Sequence, residues 1–383
     1  MKVLITVNTY YPSNDGVANV TRSHAEELVR RGHDVTVFTP HWEYPESSES
    51  YNGVKIRRFD ISSKNGIYNG KIKSYVESVV VEANSSDALI AVCLQTVSVD
   101  TLLPHLDRIK CRKILYMHGM WDFKWHSFDY HPPIHILYKL WSNLRWHYLY
   151  GLKWRYIKEF DEVIQLSEND DAYRFFKSKG YENLSVIRNA VDDMFFERHE
   201  NHREILRKYD IPEGRYAICV SNYIPGKNQK FLLEAFSQIK SKDVFLLCIG
   251  SSETEYYREL CRYADSLHCN VVLKTGIDRN DIPVLMQNAQ MFLFSSLAEK
   301  QPMCIFESMA SSILFISTDV GDVKGRPGGV VINNTDEMAS FIDYFLDNDD
   351  KKKELAYDGF VFALNNLTKK KFTDKLENMI CDL

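Results

Sequence analysis

Short continuous apolar runs alternate along the whole chain with amphipathic stretches of helical length. Residues 3–7 form the first run and read as a buried strand. A polar loop containing Gly16 follows, and then Val17, Val20, Ala25, Leu28 and Val29 recur at helical spacing until Gly32 ends the helix. Residues 34–39 give a second strand, so the chain opens on a β-loop-α-β unit, the element from which parallel sheets are built. Further runs at 88–94, 113–117 and 162–166 continue the alternation and predict a doubly wound domain.

The pattern then restarts. Residues 185–187 lead into Asn189-Ala190-Val191-Asp192, and new strands are predicted at 216–220, 244–250, 271–274, 291–295, 313–317 and 329–332. The expectation is α/β with two Rossmann-like domains, 1–188 and 189–368. A helical segment at 369–383 follows, whose place after the last helix lets it pack on either domain, including back on the first. In such open sheets ligands bind beyond the carboxyl ends of the strands, where loops and helix amino ends meet.

A length of 383 residues suits two cores rather than one. A net charge of -5 argues against a protein that coats nucleic acid. The eight cysteines form no C-x-x-C pair and have no metal-like spacing to histidine, which points to reduced thiols in a reducing compartment. The opening residues lack the apolar core of a secretory signal, and no stretch reaches the length of a bilayer span, so a cytoplasmic location is expected.

Candidate chemistry concentrates at residues 295–310, after an apolar strand and at the opening of a helix. Pro302 suits a first helical turn, where its missing N–H costs nothing. The free N–H groups of Met303, Cys304 and Ile305 can hold a diphosphate, while Glu299 and Glu307 can accept hydrogen bonds from sugar hydroxyls. Acids eight positions apart lie about 12 Å apart along a helix. They suit gripping two parts of one long ligand better than acting as an acid pair.

Glu-x7-Glu after a strand, with Thr318-Asp319-Val320-Gly321 beyond it, resembles the signature of the family 4 glycosyltransferases, which are retaining enzymes with the GT-B fold. Residues 1–40 resemble the family's opening strand, glycine loop and first helix; 186–192 resemble its V-I-P-N-G-V-D hinge; 220–236 resemble its V-G-R-L-x-x-x-K-G segment. The resemblance implies that the two domains face each other across a cleft. It also implies that Glu307 binds the donor ribose, Glu299 the transferred sugar, and Lys227 the diphosphate. His118, in Tyr116-Met117-His118-Gly119, matches the histidine that reaches the donor sugar, and Gly16 the loop whose backbone approaches it. A metal-independent hexosyl transfer from a nucleoside diphosphate-sugar is implied, with no cofactor beyond that donor.

The chain departs from the pattern at several positions. Asn222 stands where the family has an arginine, Lys300 where it has a glycine, Arg188 and Ala190 replace hinge residues, and Ser312 and Leu314 replace a later glycine and proline. Asn222 and Lys300 remain candidates for the diphosphate site, Lys300 as a substitute charge. Asn14 and Asp15 also read as caps of the first helix, Gly16 as a turn glycine of positive φ, and Cys304 as a core residue.

Residues 130–158 contain no acid, yet Lys139, Arg145, Lys153, Arg155 and Lys158 interleave with Tyr138, Trp141, Trp146, Tyr148, Tyr150, Trp154 and Tyr156. Such a segment suits the headgroup layer of an anionic membrane; packing of the rings on the first sheet is the alternative. The expected partners are thus a nucleotide-sugar donor, a glycan or lipid-linked acceptor of surface polysaccharide synthesis, and an anionic membrane face. Nucleic acid is not among them. A non-catalytic glycan-binding subunit and a sugar-nucleotide epimerase are the competing readings.

Overall fold

In the computed structural model, all residues are described except 14, 42–47, 65–66, 122, 126–129, 131–132 and 382–383. Asn14, one of the two proposed caps, therefore lies outside the described residues. The chain divides into two compact units, Met1–Arg188 with Thr373–Leu383, and Asn189–Phe372.

The first unit holds β1 (Lys2–Thr6), β2 (Asp34–Pro40), β3 (Ser48–Tyr51), β4 (Val54–Phe59), β5 (Ile61–Lys64), β6 (Ile67–Gly70), β7 (Ala88–Val92), β8 (Arg112–Tyr116), β9 (Glu162–Gln165) and β10 (Leu184–Val186). Its main sheet runs β10-β9-β8-β7-β1-β2-β4-β3, parallel throughout except for the antiparallel edge pair β3–β4, and β5–β6 form a separate hairpin. Strands β3 to β6 are additions to the sequence reading. In β4, Val54 and Ile56 are buried while Lys55 and Arg57 are outward, so no continuous apolar run marks it.

The first helix, Gly16–Arg30, is capped by Asp15, whose carboxylate accepts from the Ala18 N–H at 3.0 Å. Gly16 is thus the first helical residue and not a turn glycine of positive φ, and a Cβ there would meet nothing within 4 Å among the described residues. At the other end of the chain the helix Lys369–Cys381 brings Glu377 to the first unit, where its carboxylate takes Arg31 and His33, each at 2.7 Å.

The second unit holds β11 (Arg215–Val220), β12 (Val244–Gly250), β13 (Val271–Thr275), β14 (Phe292–Phe294), β15 (Phe315–Thr318) and β16 (Gly329–Ile332), all parallel in the order β13-β12-β11-β14-β15-β16. Its inner strands β12 and β14 are buried along their whole length and read as unbroken apolar runs because both faces are covered, whereas β13 is half-buried throughout. Tyr216, Ile218, Leu247 and Phe292 enter one core, and the alternate residues Ala217, Cys219, Leu246 and Leu293 enter the other. Each fully buried large apolar side chain contributes about 1.5–3 kcal/mol. Counted in sequence, these six strands lie 3-2-1-4-5-6, which puts the reversal of strand order between β11 and β14.

One departure from the family pattern has a backbone consequence. Ser312, after the helix Met303–Ala310, has φ +55, the left-handed region in which glycine avoids the penalty of a Cβ. Ser312→Gly is expected to raise the unfolding free energy by about 0.5–1 kcal/mol, after the larger entropy of an unfolded glycine is subtracted. Urea titration checks this, and a less stable variant would contradict it.

Candidate functional site

The loops that leave β11 and β14 carry most of the singled-out residues. After β11, a single 3-10 turn, Pro225–Lys227, precedes Asn228 at φ +52 and the helix Gln229–Ser237. The buried Gln229 amide donates to Ser221 Oγ at 2.8 Å and to the Asn222 carbonyl at 3.0 Å, which fixes this loop from within. After β14, Ser295 Oγ reaches the carbonyls of Lys227 and Asn228, each at 2.9 Å, and the Leu297 N–H donates to Gly226 O at 2.9 Å. The two loops are therefore joined by hydrogen bonds at the switch point.

That joining places the Lys227 ammonium on the Glu299 carboxylate, whose Oε1 also accepts from Ser296 Oγ at 2.8 Å. A third loop supports Glu299 from behind. Thr318 Oγ1 donates to Ser296 O at 2.8 Å, and Gly321, at φ +57, lies so close that a Cβ there would stand 2.6 Å from Lys300 O. Here the glycine is required by both its dihedral and its neighbour. Gln301 is buried and accepts from the Asn189 N–H at 2.8 Å, tying the loop to the start of the unit.

Pro302 occupies the cap position rather than the first turn, and Met303–Ala310 is helical. Met303 and Cys304 are half-buried and Ile305 is buried, the last two packing into or against the core below. The Cys304 thiol is pushed well up by burial and by the Glu307 and Glu299 carboxylates, with Lys227 opposing. Lys227 thus pairs with Glu299 in the segment that leads into this helix, and Glu307 lies on the helix itself. Asn222 is exposed and brings no charge, and Lys300, half-buried, has no ion pair among the described residues.

Glu307 is nearly sealed, with 6% of its side chain exposed, and its partner was not foreseen. Arg279 donates from both terminal nitrogens, one to each carboxylate oxygen, with Nη1 to Oε2 at 3.3 Å. Nothing in the motif marks Arg279, which sits in the loop after β13. The only signal for it was an arginine just past the carboxyl end of a strand in an open sheet.

In the first unit, His118 follows β8, next to Gly119 at φ +116. Its ring stands 4.6 Å from that of Tyr116, and its Nε2 is enclosed without a hydrogen-bond partner among the described residues. Burial lowers its pKa to about 4 although the Asp15 carboxylate pulls the other way, so the imidazole is neutral near pH 7. The same Asp15 caps the helix that Gly16 opens, so His118 and Gly16 share one end of the first sheet.

The basic-aromatic segment divides by helix face. Lys139, Trp146 and Tyr150 turn inward, Lys139 with its ammonium 4.9 Å from the centre of the Trp121 ring, and Trp154 packs on Phe175 and Phe176. Arg145 lies over Trp146 and donates to Tyr68 Oη at 3.0 Å. Ile134, Leu137, Tyr138, Trp141, Leu144, Tyr148 and Leu152 remain exposed along the helix Ile134–Leu152. The outward stripe is therefore more apolar and less basic than the sequence suggested. Among the described residues, no helix is long and apolar enough to cross a membrane.

Residues 14–195 match a family model described as Glycosyltransferase Family 4, and residues 214–348 one described as Glycosyl transferases group 1. Among solved structures, a glycosyltransferase from Rickettsia africae ESF-5 is similar at a TM-score of 0.77 and 16% identity, over 100% of this chain and 98% of that one. HepE from Anabaena, in complex with UDP-glucose, is similar at 0.73 and 16%, over 100% of both chains. WaaG, a glycosyltransferase involved in lipopolysaccharide biosynthesis, is similar at 0.68 and 16%, over 99% of both. No curated protein matches the chain by sequence.

Because the folded His118 takes its proton near pH 4 and an unfolded one near 6.5, the unfolded state binds more protons between those values. The stability this site contributes is present above pH 6.5 and is lost as the pH falls toward 4. His118→Gln should therefore lose less stability than the parent over that window in chemical denaturation. Equal losses would contradict the burial of this ring.

Proposed function

The chain belongs to family 4 of the glycosyltransferases and has their GT-B fold, and from that premise we propose that it moves a sugar from a nucleoside diphosphate-sugar to an acceptor hydroxyl with retention of configuration. The observation that carries this reading is the pairing of Lys227 with Glu299 in the segment that leads into the helix Met303–Ala310, on which the nearly sealed Glu307 lies. The N–H groups of Met303 and Cys304 and the Lys227 ammonium take the diphosphate oxygens, where negative charge grows as the sugar departs; the Ile305 N–H, expected from the sequence to join them, is already given to Pro302 O at 3.1 Å. Glu307 accepts from the ribose hydroxyls and Glu299 from those of the sugar. Arrival of the donor moves Lys227 from Glu299 to phosphate, which frees Glu299 for the sugar.

In this proposal the anomeric carbon–oxygen bond to the diphosphate breaks while the acceptor oxygen bonds to the same face. The leaving phosphate oxygen takes the acceptor proton, so no side chain acts as an external base. The family resemblance assigns His118 to the donor sugar, for which its enclosed Nε2 must be uncovered, and Gly16, with open space above its Cα, lets the donor come near the backbone. Positive side chains and a helix end do the work of a divalent ion. HepE binds UDP-glucose in its complex and WaaG is involved in lipopolysaccharide biosynthesis; they favour a nucleotide-sugar donor and a surface-glycan acceptor for this chain as well.

We further propose that the protein acts in the cytoplasm at an anionic membrane face. Leu137, Trp141, Leu144 and Tyr148 offer an exposed apolar stripe, and Arg155 and Lys158 stand exposed just beyond the helix with no acid from 130 to 158. Apolar side chains at acyl depth with cations at the headgroups match such a lipid surface, where a lipid-linked acceptor would be presented.

Incubation with a panel of nucleoside diphosphate-sugars tests the reaction. Nucleotide release that needs an acceptor supports transfer, isomerisation without release supports an epimerase, and binding without turnover supports a subunit. Lys227→Ala should lower kcat about 100-fold and Glu307→Ala should weaken nucleotide binding about 10-fold or more; parental values in both would remove the proposed site. Vesicles rich in anionic lipid should retain the protein in a salt-sensitive way. Leu144→Asp, at a site 66% exposed, should abolish retention without altering the fold by circular dichroism, and equal retention would refute this surface.

A further inference from the structure

We infer that Arg279 is a positioning residue for nucleotide recognition, holding the Glu307 carboxylate so that its outer lone pairs face the ribose. The inference rests on the donor reading above, because it takes Glu307 as the ribose acceptor.

Glu307 lies on a helix whose other buried positions are apolar, apart from Ser308, and only 6% of its side chain is exposed. A carboxylate so far from water needs a cation with matching geometry, or it turns away or becomes protonated. Arg279 provides that match. Its two terminal nitrogens meet the two carboxylate oxygens as a fork, and a planar guanidinium fixes both the position and the rotation of the carboxylate plane. Each oxygen keeps a second lone pair for another donor, and a vicinal diol presents two hydroxyls at a spacing suited to that pair.

The arginine is itself braced. Asp278 accepts from the Asn280 N–H at 2.9 Å and closes the turn before the helix Ile282–Gln287. Tyr209 Oη receives the Asp278 N–H at 3.0 Å and donates to Asp281 at 2.7 Å, and Lys208 meets Asp281 at 2.7 Å. The guanidinium lies 4.7 Å from the centre of the Phe195 ring. Asp278, Tyr209, Asp281 and Lys208 thus fix the turn that carries Arg279, and Phe195 lies against its guanidinium. Half its own side chain is exposed, so the pair lies at the edge of the unit, where a ligand can reach it.

The family's arginine position holds Asn222, which brings no charge. Arg279 is therefore the second cation gathered at this site with Lys227, delivered from the loop after β13 and acting through a carboxylate rather than directly on phosphate.

The test is ribose selectivity. Calorimetry with UDP, GDP, ADP and CDP finds the tightest nucleotide, and its affinity is then compared with those of its 2′-deoxy counterpart and of inorganic pyrophosphate. The parent should favour the ribonucleotide about 10-fold or more, the worth of a charge-assisted hydrogen bond. Arg279→Gln should bring that preference below about 3-fold while leaving pyrophosphate affinity within about 2-fold, and Arg279→Lys, which keeps the charge but loses the fork, should restore only part of it. Thermal melts confirm that each variant is folded. If Glu307→Gln loses the preference and both Arg279 variants keep it, the inference falls alone. If Glu307→Gln keeps it, or no nucleotide binds the parent, the donor reading falls and this inference with it. An equal loss for all three probes assigns Arg279 a structural role and overturns the inference.

Discussion

Where β11 and β14 lie side by side, the chain leaves the two strands toward opposite faces of the second sheet. The helix after β11 buries Leu232, Leu233 and Phe236 in one core, and the helix after β14 buries Ile305, Phe306 and Met309 in the other. Two connections that diverge in this way leave a crevice at the carboxyl ends of their strands. The remainder of the site follows from what borders that crevice. Hydrogen bonds from Ser295 and Leu297 join the two loops, Gly321 gives the 299–300 backbone room to pass, and the helix Met303–Ala310 opens there with the N–H groups of Met303 and Cys304.

Charge at this site is arranged in two pairs rather than one cluster. Lys227 with Glu299 and Arg279 with Glu307 each neutralise a carboxylate that would otherwise be costly to bury. The two pairs differ in what a ligand must do to them. Lys227 is a flexible point charge that can exchange one anion for another, whereas the forked Arg279 contact leaves its carboxylate both held and still able to accept. A diphosphate would displace the first partnership and a diol would add to the second.

The second sheet was legible because its inner strands are buried on both faces, which leaves unbroken apolar runs such as residues 244–250 in the sequence. The strands between 48 and 70 were not. In β4 the inward residues alternate with charges, β3 and β6 have no fully buried residue, and β5 and β6 form a hairpin outside the main sheet. Lys227, Glu299 and Glu307 were singled out because they lie in recognisable segments at the ends of strands, and the fold pairs the first two with each other. Arg279 could not, since its partner is 28 positions away and only folding brings them together. The segment 130–158 shows the same limit in another form: composition reported rings and cations, but only helical phase decides that Lys139 and Trp146 turn inward while Leu144 and Tyr148 face out.

A structure of the protein soaked with a nucleoside diphosphate-sugar would measure the central claim directly. The account predicts diphosphate oxygens within hydrogen-bond distance of Lys227 Nζ and of the N–H groups that open the helix Met303–Ala310, with the Lys227–Glu299 contact broken. A donor bound elsewhere, with that contact intact, would contradict it.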